Sequence, residues 1–158
     1  VPLSISYEIE PCGISKVAEL YKKQTEGFEK TQEDDLRSMG EGLVRPKGRV
    51  HFGFGEPITN QIFESNEPIS AQIEKLADHI DQKIYSNFQL WPNNYIAEDI
   101  LNNQRLNSAH YTQEQYSQFV SMLEEAVAII PGDSEIVKGM FLQMYVNPIL
   151  NKRNTTKA

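Results

Sequence analysis

The sequence predicts an α+β fold with two core strands, over residues 1–9 and 49–57, helices between them, and a mostly helical second half. Two observations lead to this fold. Apolar and polar residues alternate along both predicted strands, as in strands with one buried face. From Pro68 onward, apolar residues recur every three or four positions, which is the spacing of an amphipathic helix. We therefore expect the character of the chain to change near residue 60.

The first predicted strand has Leu3, Ile5, Tyr7 and Ile9 on its apolar face, with serines and a glutamate between them. This alternation predicts a half-buried strand that contributes to a core. The sequence opens inside the strand, at Val1. We therefore expect the strand to belong to a longer polypeptide.

Two helices are predicted between the strands. Thr31 and Asp34 have the spacing of a capping box and mark the start of the second helix. The segment 45–48 contains a proline and a glycine and is predicted to be a turn. The apolar stripes are Val17, Leu20 and Tyr21 in the first helix and Leu36, Met39 and Leu43 in the second.

The second predicted strand has Val50, Phe52 and Phe54 on one face, with His51 opposite them. Gly53 also lies on the face opposite the aromatic residues. A glycine inside a strand indicates a bulge or the close approach of another backbone, and both interpretations stay open here.

The second half is predicted to consist of helices. Pro92 is suited to the first turn of a helix, and Thr112 with Gln115 has the spacing of a second capping box. The segment 131–133 is predicted to end that helix before a final one begins. The apolar stripes contain Ile73, Leu76, Ala77, Ile80 and Ile84, then Tyr95, Ile96, Ile100 and Leu101, then Phe119, Met122, Leu123, Ala126, Val127 and Ile130, and finally Val137, Met140, Phe141 and Met144. We expect two parts, 1–60 and 61–150, and a disordered tail over 151–158.

Composition excludes several classes of function. The 158 residues carry a formal net charge of −7, which argues against broad nucleic-acid binding. No apolar run reaches the roughly 18–20 residues that a membrane span requires. The single cysteine, Cys12, excludes an intrachain disulfide and a metal site built from several cysteines.

The residues taken singly indicate no active site. His51, His79 and His110 are not spaced as metal ligands on one element. Paired acidic residues such as Asp34-Asp35 are typical of a solvated helix face. Cys12 with one histidine is a candidate for a small hydrolase, although a lone thiol is more often structural. We predict no catalytic residue and no metal or cofactor site within the chain.

Two segments carry a family resemblance. VPLSISYE at residues 1–8 resembles the last conserved block of the glycerol-3-phosphate and 1-acylglycerol-3-phosphate acyltransferase superfamily. GRVHFGFGEPI at 48–58 resembles the strand that closes the same catalytic domain. The resemblance covers residues 1–58, and it implies that the rest of the chain is a helical C-terminal extension.

The resemblance implies that the family's reaction is the transfer of a fatty acyl group. This chain lacks the catalytic residues for that reaction. In the family, the histidine of a His-x4-Asp motif acts as a general base on the acceptor hydroxyl, which attacks an acyl thioester. None of the three histidines is followed by aspartate at that spacing; Glu56, Ile84 and Gln115 occupy those positions. The motif is therefore expected before Val1. By resemblance, Val1, Pro2 and Leu3 help to shape the acyl or acceptor pocket, although plain strand packing explains them equally well.

The resemblance also implies partners and a location. The donor would be acyl-CoA or acyl carrier protein, the acceptor a glycerol phosphate, and the longer protein would act at the cytoplasmic face of the bacterial inner membrane, whereas this chain alone would be soluble. Two strands without their sheet would pair with another copy, giving a homo-oligomer; alternatively, the two strands pair with each other and lie on the helices. The rival hypothesis is a non-enzymatic interaction module whose helices, within 72–146, form a binding bundle.

Overall fold

A computed structural model describes residues 1–59, 62–63 and 67–155. Within those ranges the chain forms six α-helices and a two-stranded antiparallel sheet, which confirms the α+β class. A 3-10 turn at Ser108–His110 follows the fourth helix. The elements are β1 (Leu3–Tyr7), α1 (Gly13–Thr25), α2 (Gln32–Val44), β2 (Val50–Phe54), α3 (Ile69–Asn87), α4 (Pro92–Leu101), α5 (Gln113–Ile129) and α6 (Ser134–Thr155).

The two strands pair directly with each other. Leu3 lies opposite Phe54 and Tyr7 opposite Val50. Backbone hydrogen bonds continue beyond both ends of the paired segments, from Ile9 N to Lys47 O at 2.9 Å and from Gly55 N to Pro2 O at 2.9 Å. Both strands are shorter than the predicted 1–9 and 49–57. Backbone hydrogen bonds nevertheless join the two segments from residues 2 to 9 and from 47 to 55.

The prediction that Leu3 and Ile5 lie on the buried face of β1 is wrong. Ser4 and Ser6 are buried, at 2% and 0% exposure, whereas Leu3 and Ile5 are 42% and 39% exposed. The physical reason is the helical layer beneath the sheet. The backbone just after α3 comes so close that Gln89 N donates a hydrogen bond to Ser6 Oγ at 2.9 Å. Side chains as small as serine fit at this distance, and a leucine or isoleucine would not.

The core lies among the C-terminal helices, with α6 packed against α1, α3, α4 and α5. Val17 of α1 is fully buried in the same cluster as Ile96, Phe119 and Phe141. Residues on both sides of the expected change near residue 60 thus contribute to one core.

α6 extends into the segment expected to be disordered. It continues to Thr155, and the last three residues of the chain lie outside the described part. Two side chains fix this end to the rest of the fold: Lys152 Nζ donates to Phe88 O at 2.7 Å, and Arg153 pairs with Glu98. These contacts join residues far apart in sequence, so local composition did not reveal them.

Local signals located the helix starts correctly. Thr31 with Asp34 and Thr112 with Gln115 both form capping boxes, and Pro92 opens α4. The apolar stripe of α2, in contrast, lacks the predicted packing. Its members are all exposed: Leu36 at 63%, Met39 at 66% and Leu43 at 80%.

Candidate functional site

The apolar side of the sheet is its solvent-facing side. Directly paired residues of antiparallel strands point to the same face, so the register aligns three apolar pairs there. Exposure increases along β2, from 37% at Val50 to 54% at Phe52 and 73% at Phe54. We call this surface the open sheet face; it consists of Leu3, Ile5, Tyr7, Val50, Phe52 and Phe54.

Contiguous exposed apolar surface is the type of surface at which a partner or a further layer of protein can pack. Its three cross-strand pairs combine aromatic with aliphatic side chains, as in the interior of a sheet layer. The strands also have one unpaired edge each in the described structure, because the sheet order is simply β1–β2. Each unpaired edge presents backbone N–H and C=O groups that can pair with another strand.

The opposite face of the sheet is closed against α3. A Cβ atom added at Gly53 would lie 2.7 Å from both Asn87 O and Ser4 Oγ. This confirms the close approach of another backbone, one of the two interpretations of Gly53. His51 lies on this face too; its Nδ1 and Ser4 Oγ are buried without a hydrogen-bond partner among the described residues.

The three residues assigned to the pocket wall by resemblance are in different environments. Leu3 belongs to the open sheet face, opposite Phe54. Val1 is 74% exposed, and Pro2 is buried with its carbonyl oxygen accepting the bond from Gly55 N. Leu3 and Val1 are therefore available to contact another surface, whereas Pro2 is engaged inside the sheet.

An ion pair closes the Tyr7–Val50 end of the sheet. The Glu8 carboxylate accepts two hydrogen bonds from the Arg49 side chain, at 2.8 and 3.0 Å, and a third from the Arg49 backbone N at 3.0 Å. Hydrogen bonding from Arg49 lowers the pKa of Glu8. The Arg49 guanidinium also lies 4.7 Å from the ring centroid of Trp91, which connects the sheet to the start of α4. Sequence reasoning missed this pair because only the register brings positions 8 and 49 together.

A second polar cluster was also missed by sequence reasoning. Asp99, 2% exposed, accepts hydrogen bonds from Asn107 N at 3.1 Å and from Tyr111 Oη at 2.7 Å. The pKa of Tyr111 is raised to about 12, mainly because its hydroxyl is partly removed from water and also because it is hydrogen-bonded to Asp99. The neighbouring Glu98 pairs with Arg153. These carboxylates are engaged by partners within the chain, so the cluster connects α4 to the following loop and to α6.

The remaining candidate groups are dispersed. The Cys12 thiol donates to Ser38 O at 3.4 Å, and the His110 ring stacks on Tyr95 with 4.0 Å between centroids. Neither contact forms a nucleophile–base pair. In the described ranges, no three His, Cys, Asp or Glu side chains are grouped to hold a metal ion. None of the helices there combines the length and apolar character needed to cross a membrane.

Comparisons with protein-family models, with curated proteins and with solved structures find no match for this chain.

Proposed function

We propose that this chain is the C-terminal portion of an acyltransferase that transfers a fatty acyl group from a thioester donor to a glycerol-phosphate acceptor in phospholipid synthesis. β1 and β2 complete the sheet of the catalytic domain, and the groups that perform the transfer lie outside this chain. The donor is acyl-CoA or acyl carrier protein. The whole enzyme works at the cytoplasmic face of the bacterial inner membrane.

The open sheet face is the observation that carries this proposal. The two segments that resemble the acyltransferase blocks, 1–8 and 48–58, are direct partners in the sheet. Their apolar side chains face outward, and Phe54 is 73% exposed. A missing layer of the catalytic domain would cover this surface and remove it from water, which is favourable in proportion to the apolar area buried.

The same packing would give the first residues a role near the substrate. Leu3 and Val1 are exposed at the end of the sheet where Phe54 is most exposed. A domain covering the open sheet face would contact both of them, and there they would form part of the wall of the acyl or acceptor pocket. Pro2 supports this wall from within the sheet.

The proposal is tested on the complete polypeptide encoded by the gene. Its reading frame before Val1 should contain a His-x4-Asp motif, and the purified protein should transfer acyl groups to glycerol 3-phosphate or to lysophosphatidate. Phe52→Asp should lower this activity by about tenfold or more, because it introduces an unpaired charge into the covered face. The chain of 158 residues alone should be inactive.

Leu106→Asp provides the matched control, since Leu106 is 81% exposed and lies outside the sheet. It should leave the activity within about twofold, as expected for a surface substitution. Absence of the upstream motif would overturn the proposal. So would equal activities of the Phe52 and Leu106 variants.

A further inference from the structure

A groove of about 860 Å³ runs between α1 and α6, on surface that the proposed catalytic role does not use. Its apolar residues are Leu20 and Phe28 on one side and Met140 and Met144 on the other. The two methionines pack on the core cluster and form the base. Leu20, although in the predicted stripe of α1, is 53% exposed at the groove wall. The volume is within the range of ligand pockets, about 300–1,000 Å³.

Three lysines line the groove, although the chain as a whole is acidic. Lys16, Lys23 and Lys30 line it together with a single carboxylate, that of Glu19, whereas the whole chain has a net charge of −7. Lys16 forms an ion pair with Glu10 at 3.0 Å, and Lys30 forms ion pairs with Asp35 at 3.1 Å and with Glu19 at 3.5 Å. The ion pairs of the described residues include none for Lys23.

We propose that this groove binds a single-chain amphiphile with an anionic head group, a fatty acid or a lysophospholipid. The apolar chain lies on Leu20, Phe28 and the two methionines, and the head group pairs with Lys23. Methionine suits such a base because its flexible, polarisable side chain adapts to an apolar ligand. The groove carries this proposal by itself, so it stands whether or not the chain is part of an acyltransferase.

The chemistry of the lining favours this occupant over a purely apolar or a purely ionic ligand. An apolar molecule would leave Lys23 without an ion-pair partner, and a free inorganic anion would leave the methionine base uncovered. Gln143 and Asn147 add amide groups to the lining beside Met144, and Gln143 Nε2 donates to Asn147 Oδ1 at 2.8 Å. An amphiphile with an anionic head group matches both the apolar base and Lys23.

Methyl NMR of methionine can locate binding, because the chain has four methionines and two of them lie outside the groove. Dodecanoate, a lysophosphatidate, a phosphocholine with the same single chain, and inorganic phosphate would each be titrated below micelle formation. We expect saturable shifts at Met140 and Met144 with both anionic amphiphiles. Met39 on α2 and Met122 on α5 should not respond. A preference for lysophosphatidate or for dodecanoate would identify the head group.

Two variants test the two halves of the site. Lys23→Glu should weaken binding about three- to tenfold, because the attraction between this exposed side chain and the anionic head group becomes a repulsion. Leu20→Ser should weaken it about tenfold through lost apolar contact. Lys138→Glu, on α6 outside the groove, is the matched control and should bind normally.

Several results would overturn the proposal. One is the absence of a saturable shift at Met140 and Met144. Equal affinity for the phosphocholine amphiphile would show that the groove does not select an anionic head group. Equivalent shifts with inorganic phosphate would show that the apolar chain does not contribute to binding. Equal responses of Met39 and Met144 would indicate non-specific adsorption.

Discussion

At Gly53 the sheet lies in close contact with the end of α3. Asn87 O, a backbone atom, lies 2.7 Å from where a Cβ would be, and backbone cannot rotate away as a side chain can. Gly53→Ala should therefore lower the free energy of unfolding by about 1–3 kcal/mol through overpacking. Urea denaturation followed by circular dichroism measures this change.

Gly139 offers the matched control for that substitution. It lies inside α6, and a Cβ added there meets no atom within 4 Å. Gly139→Ala should raise stability by about 0.5–1 kcal/mol, since glycine is less favourable than alanine inside a helix. If Gly53→Ala left stability unchanged or raised it as Gly139→Ala does, the close approach of Asn87 to β2 would be contradicted.

At the scale of elements, the Asp99 cluster determines how α4 is joined to the loop that follows it. Asp99→Ala would leave Asn107 N and Tyr111 Oη, on two half-buried residues, without the acceptor that the buried Asp99 provides. We expect a loss of about 1–3 kcal/mol in the free energy of unfolding, because donors that lose their acceptor in a partly buried site are costly. Chemical denaturation of the purified variant measures this loss.

An exposed carboxylate gives the comparison for Asp99. The side chain of Glu135 is 82% exposed, and its contact with Lys138 is 3.9 Å long. Glu135→Ala should change stability by less than about 0.5 kcal/mol. A loss for Asp99→Ala as small as that for Glu135→Ala would refute the structural role of the cluster.

The elements themselves could be predicted from sequence where local chemistry defines them. Thr31, Thr112 and Pro92 mark helix starts through hydrogen bonds or ring geometry within a few residues. The buried face of β1 could not be predicted in this way. Alternation identifies two faces, but which face is buried depends on what lies against it, and here a backbone segment far along the chain admits only Ser4 and Ser6.

For the candidate site, sequence predicted the membership of the apolar face but not its exposure. The same holds for α2, whose stripe is correctly spaced and yet solvent-exposed. The Glu8–Arg49 pair depends on strand register, and the Asp99 cluster depends on the loop after α4. Both are contacts between distant positions, and no local pattern encodes them.

For the whole molecule, an exposed apolar sheet face with two unpaired edges makes the isolated chain prone to associate with itself. Sedimentation velocity of the 158-residue chain should therefore detect dimers or larger species that increase with concentration. Phe52→Lys should shift the distribution toward monomer, because Phe52 lies at the centre of the open sheet face and lysine opposes strand pairing there.

The control for association is Leu106→Lys, which changes an apolar residue that is 81% exposed outside the sheet and adds the same charge. It should associate like the unmodified chain, so that net charge alone cannot account for the effect of Phe52→Lys. In the longer polypeptide that we propose, the open sheet face is covered, so the unmodified protein should not associate through this surface. A strictly monomeric isolated chain at all concentrations would mean that the face tolerates water, which would remove the main physical reason for expecting a covering domain.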